Sequence, residues 1–133
     1  MTTITLAGAP LSTNQLERLH WAVKRKMRSR LAWEIRFALL DAGYDVPREI
    51  PPPKPQPKMS VKIRAYRKRR LDPDNAFGGV KVIIDAMRDV GLLHNDSPRW
   101  IALDVEQFVD AQNIRTEIDL EPIREQKSSG GQL

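Results

Sequence analysis

Asp72 and Asp74 stand one residue apart in RRLDPDN, joined by Pro73 and preceded by four consecutive cations, Arg67, Lys68, Arg69 and Arg70. In an extended segment alternate side chains leave on the same side. Proline biases the residue before it toward extended backbone, so the two carboxylates can project together. Nearby carboxylates repel one another unless positive charge lies between them. Arginine can supply that charge, and so can a divalent cation, for which carboxylate oxygens are suitable ligands. The same residues also have a plainer explanation, an Asp-Pro-Asp turn salt-bridged to the arginines around it.

Asp85 and Asp96 are further candidate acids. Asp85 follows Lys81 by four residues, the spacing of an ordinary helical ion pair. Asp96 sits in a loop before a strand, either as a turn residue or pointing back at the first pair. A calcium loop does not fit, because its fifth and sixth positions hold Ala76 and Phe77 instead of an acid or amide and a glycine. No GxxxxGK[ST] phosphate loop is present. His20 and His94 are isolated from one another and read as packing or surface residues. With no cysteine in the chain, disulfides and cysteine zinc sites are excluded, and a reducing compartment fits.

The elements that must carry these groups follow from periodicity. Residues 3–7 alternate as a short strand closed by Gly8 and Pro10. Ser12, Thr13 or Asn14 can cap a helix beginning near Gln15, and Leu16, Leu19, Val23, Met27, Leu31, Ile35 and Leu39 recur at helical spacing up to Gly43. Residues 46–58 form a proline-rich connection in which no helix or central strand survives. Met59, Val61, Ile63 and Ala65 alternate with polar residues as a half-buried strand that runs into the basic stretch. Val80, Ile83, Ile84 and Met87 mark one face of a second helix ended by Gly91. Ile101, Leu103 and Val105 point inward from a third strand, with Asp104 and Glu106 outward. DAQN reads as a turn, and Ile114, Thr116, Ile118 and Leu120 form the inward face of a last strand. The expected fold is α+β: a small mixed sheet of about four strands with two main helices, ordered strand, helix, strand, helix, strand, strand over residues 1–120. Residues 121–133 read as a disordered tail.

The 133 residues suffice for one domain with one modest core, and the formal charge is +5. No apolar run reaches the roughly 20 residues that span a bilayer, and the N-terminus lacks the pattern of a secretory signal. A soluble cytoplasmic protein without a membrane partner is the expectation. The positive balance favours a polyanion, nucleic acid first and a membrane surface second. Arg18, Lys24, Arg25, Lys26 and Arg28, with Arg67, Lys68, Arg69 and Arg70, form the expected basic, DNA-facing surface; a solvated helix face and loop is its plainer alternative.

The run RRLDPDN followed by GGVKVIIDAMRDVGLLHNDSPRWI resembles the RusA family of Holliday junction resolvases, common in phages and prophages. The matching positions are Asp72, Asp74, Asn75, Lys81, Asp85, Gly91 and Asp96. The similarity is strongest over residues 64–105. It is looser upstream, where Asn14, Arg18, His20 and Trp21 are its recognisable points. Two departures stand out: Asn95 replaces the first carboxylate of an acidic pair, and AFGGV separates Asn75 from Lys81 by about one extra helical turn or a glycine loop. The resemblance implies magnesium, with manganese as a substitute, held by Asp72, Asp74 and Asp96. It also implies Lys81 as a catalytic or phosphate-contacting cation, and Asp85 and Asn75 in support. The expected activity is metal-dependent cleavage of branched DNA in recombination and repair, by a homodimer that resolves a four-way junction with paired cuts. The alternatives are a non-catalytic DNA-binding phage module and a nuclease for forks, flaps or other structured nucleic acid.

Overall fold

The computed structural model describes residues 1–48, 50 and 56–123. Strand β1 (Thr2–Ala7) is followed by helices α1 (Thr13–Glu17) and α2 (Trp21–Asp41), strand β2 (Met59–Arg67), helix α3 (Pro73–Val90), and strands β3 (Ile101–Val109) and β4 (Arg115–Pro122). The sheet order is β1-β4-β2-β3. β4 is antiparallel to both β1 and β2, whereas β2 and β3 run parallel with α3 as their crossover. The fold is therefore α+β with a mixed four-stranded sheet, as the periodicities predict, and with a third, short helix.

Strict alternation builds the core. Met59, Val61, Ile63 and Ala65 of β2 and Ile118 and Leu120 of β4 lose nearly all solvent exposure against Val80, Ile83, Ile84 and Met87 of α3 and Ile35 and Leu39 of α2. Gly91 ends α3 in the left-handed conformation expected of a helix-terminating glycine. Among the described residues no helix is long and apolar enough to cross a membrane.

Several expectations are corrected. The first helix is two. Ser12 caps α1 in a reciprocal box with Gln15, and His20 then takes extended backbone and accepts the Ala22 N–H on Nδ1, starting α2 afresh. Val23 consequently leaves the apolar stripe and is exposed. Ile114 precedes β4 and is exposed too. β4 continues to Pro122, beyond the expected start of the tail, while residues 124–133 lie outside the described residues. Residues 49 and 51–55 of the proline-rich connection do so as well, but Val46 at its start is buried in the core.

The sheet face away from the helices is a charged layer. Arg64 bonds both Asp119 oxygens and, at 3.2 Å, Glu117, which also pairs with Arg115. Arg115, opposed by partial burial and helped by Arg64, holds the Glu117 carboxyl below its ordinary value of 4.5; Arg64 does the same for Asp119, whose ordinary value is 3.8. A depressed folded-state carboxyl pKa contributes stability above the unfolded value, and this is lost as pH falls through the folded one. Thermal unfolding followed downward from neutral pH should hold steady to about pH 4.5 and then decline. Arg64→Met should flatten that decline.

Candidate functional site

Asp72 and Asp74 do not sit on an extended segment. Pro73 occupies the first helical position, where its missing N–H costs nothing, so Asp72 becomes the N-cap of α3 and Asp74 lies in its first turn. Asp72 makes no side-chain capping bond. Its backbone carbonyl accepts the Asn75 and Ala76 N–H groups, leaving its carboxylate uncommitted.

This turn is held by the start of α1. Thr13 Oγ1 donates to the Asp74 carbonyl at 3.1 Å and accepts the Gly78 N–H at 3.0 Å, bridging the two ends of an i to i−4 pair. Asn75 Oδ1 accepts the Asn14 N–H at 3.0 Å. So close an approach needs Gly78 and Gly79. A Cβ on Gly78 would meet the Thr13 Cα at 2.9 Å, and one on Gly79 would meet the Leu11 nitrogen at 2.6 Å. The glycine pair is thus a docking face inside a helix, and the extra residues before Lys81 are a helical turn.

Because α3 is continuous, Asp74, Lys81 and Asp85 fall within roughly 40° of one another around its axis at 3.6 residues per turn. Lys81 and Asp96 line one cleft of about 450 Å³ with Phe77, Ile84, Pro98, Ile101 and Leu103. Phe77 also borders a second cleft, lined by Arg70, Pro73, Ala76, Val80, Val105, Glu106 and Gln107. The two clefts share Phe77, and Asp72 and Asp74 line neither. Gln107 borders the second: its amide accepts the Leu71 N–H at 3.0 Å and donates to the Leu71 carbonyl at 2.9 Å, pinning the residue before Asp72 to β3.

Asp72, Asp74, Asp96 and Lys81 make no ion pair among the described residues. The salt-bridged-turn explanation of Asp-Pro-Asp therefore finds no bridge, and neither does the Lys81–Asp85 pair. Asp85 instead lies near Arg28, whose pKa is raised chiefly by its hydrogen bonds to Asp89, against partial burial, with a smaller contribution from Asp85. Uncommitted, exposed carboxylates are the donor chemistry a hard divalent cation takes. As the side chains stand, no three His, Asp or Glu groups among the described residues converge closely enough to enclose one.

The basic surface divides. Arg18, Lys24, Arg25, Lys26, Lys68, Arg69 and Arg70 are exposed. Arg28 is not free for phosphate: its Nε and Nη2 grip Asp89 at 2.6 and 2.7 Å, tying α2 to α3. Arg67 is turned inward, only 7% exposed. Its Nη1 donates to the Pro10 carbonyl, Nε and Nη2 have no partner among the described residues, and burial lowers its pKa. The alternation of β2 accounts for this, since Arg67 shares the inward parity of Met59. His20 is a helix cap, and His94 lies against Trp100 with ring centroids 4.3 Å apart. Sequence reasoning named Thr13 only as a possible helix cap, without its bonds to α3, and did not single out Gln107, whose contact depends on strand register.

Neither a protein-family model nor a curated protein matches this chain.

Proposed function

We propose that the protein is a metal-dependent endonuclease for branched DNA, of the RusA resolvase type. The observation that supports this reading is the shared cleft of Lys81 and Asp96 beside α3, the helix whose N-terminal end carries the uncommitted carboxylates of Asp72 and Asp74. Asp72, Asp74 and Asp96 would hold magnesium, which when bound supplies charge neutralisation at phosphorus and an activated water. Lys81 donates from its ammonium to a phosphate oxygen and stabilises the charge that grows there in the transition state. Thr13, Asn75 and Gln107 keep Asp72 and Asp74 in place. Lys68, Arg69 and Arg70, with Lys24, Arg25 and Lys26 on α2, bind flanking phosphates and offset the repulsion between DNA and the acids.

A homodimer suits paired cuts, because two identical sites meet a substrate of near two-fold symmetry. Trp33, Phe37 and Leu40 are exposed at positions i, i+4 and i+7 of α2, a stripe that a second copy can cover.

The test is incubation of the full chain with a synthetic four-way junction, a fork, a flap and a linear duplex, in magnesium and in EDTA. Cutting of the junction in magnesium alone is the expected result; cutting of forks or flaps in preference would move the substrate, and binding without cutting would leave only a DNA-binding module. Neutralising Lys68, Arg69 and Arg70 together should weaken binding to every DNA shape. The slope of log K against log salt should fall by about 0.9 for each phosphate that the variant no longer neutralises. An unchanged slope would place these cations away from DNA.

A further inference from the structure

At the C-terminal end of the parallel pair β2–β3, three side chains stack across the outer sheet face. The Arg115 guanidinium lies 3.7 Å from the Tyr66 ring centroid, and the Tyr66 and Phe108 rings are 5.0 Å apart at an interplanar angle of 20°. Tyr66 and Phe108 are register partners on β2 and β3, and Arg115 is the partner of Tyr66 on β4, so the stack runs directly across the strands. One end is closed by Arg115. The other is open, because β3 is the edge strand and Phe108 is 37% exposed. Val109, the next residue along β3, is exposed as well.

The charges around the stack favour a polyanion. Glu117 and Asp110 are engaged by Arg115, and Glu106 by Lys62. Asp104 lies further down β3, in the register of Lys62. Lys68, Arg69 and Arg70 follow Tyr66 within four residues, are exposed, and make no ion pair among the described residues. An aromatic end face with cations beside it is the combination that receives a base while its phosphates are held. Gln107, the neighbour of Phe108 on β3, clamps Leu71 ahead of Asp72. Gln107 and Phe108 leave β3 on opposite faces, so a base on Phe108 would lie across the edge strand from the candidate cutting site.

We propose that Phe108 is the open end of a stacking platform for an unpaired nucleobase, with Lys68, Arg69 and Arg70 holding the adjoining phosphates. This rests on the nuclease reading only in taking DNA as the ligand; it adds that the substrate presents an unstacked base at the branch.

The test is binding in EDTA, so that cutting plays no part, to a single-stranded oligonucleotide carrying 2-aminopurine and to a four-way junction carrying it at the branch. Stacking on Phe108 should quench the fluorescence. Phe108→Ala should abolish the quench and weaken single-strand binding about tenfold, the order of one base–aromatic stack, while the salt slope stays as in the wild type. Phe108→Trp should retain the quench; Phe108→Leu, which keeps apolar bulk without a π face, should lose it. Should Phe108→Ala fail to fold, the Trp and Leu pair decides. Equal quenching and affinity in the wild type and the Leu variant, or no quenching by the wild type, overturns the platform. Quenching that depends on Phe108 in a protein that cuts nothing in magnesium would support the platform and reject the nuclease; junction cutting unaffected by Phe108→Leu, with no quench, would do the reverse.

Discussion

Asp72→Asn, Asp74→Asn and Asp96→Asn are each expected to abolish strand cutting while four-way-junction binding stays at or above the wild-type level. A cation at these acids would contribute several kcal/mol of charge stabilisation in the transition state. At about 1.4 kcal/mol per tenfold in rate, its loss lowers cutting by roughly a thousandfold or more. Binding moves the other way, because each substitution also removes a negative charge that faces phosphate. The exposure of all three carboxylates makes unfolding a poor explanation for the loss. Single-turnover cutting of a labelled junction, with binding measured in EDTA, separates the two effects. Wild-type cutting by Asp96→Asn would remove that residue from the site.

The largest effect on stability is expected at Gly79. Alanine at a glycine position of an exposed helix ordinarily stabilises, by about 1 kcal/mol. At Gly79 the added Cβ would press on the Leu11 backbone, 2.6 Å from its nitrogen, and stand 2.7 Å from the Pro10 Cβ. Backbone cannot swing aside as a flexible side chain can, and overpacking typically costs about 1–3 kcal/mol. We expect Gly79→Ala to lower the unfolding free energy by about 3 kcal/mol, a large share of the ~5–15 kcal/mol of an ordinary domain. Since the same segment supplies Thr13 and Asn14 to the first turn of α3, the surviving folded protein should also cut less well. Chemical denaturation gives the sign directly: a more stable Gly79→Ala would mean that the Pro10–Thr13 segment does not lie against α3.

What could be read in the sequence was whatever depends on local period. The alternation of Met59, Val61, Ile63 and Ala65 marks β2, and followed two residues further it also predicts the burial of Arg67, which inspection of the basic run alone obscures. Gly43 and Gly91 announce the helix ends because both need positive φ. The break at His20 was hidden, since histidine is outside the usual N-cap set of Ser, Thr, Asp and Asn. The true start of α3 was hidden by Gly78 and Gly79, whose low helix propensity argues against a helix until the loop packed on them is known. That start changes the site: it moves Asp74 from an extended strand end into a helical turn in line with Lys81. The meeting of Asp96 with Lys81, and of Gln107 with Leu71, depends on how β3 pairs with β2. Pairing between segments about forty residues apart leaves no local trace.

The most direct measurement is a titration of Mn2+ onto the full-length protein without DNA, followed by loss of the free-ion electron paramagnetic resonance signal. The wild type should deplete the free signal, and a variant carrying Asp72→Asn, Asp74→Asn and Asp96→Asn together should not. Equal depletion by the two proteins, or none by either, would contradict a cation held by these three acids.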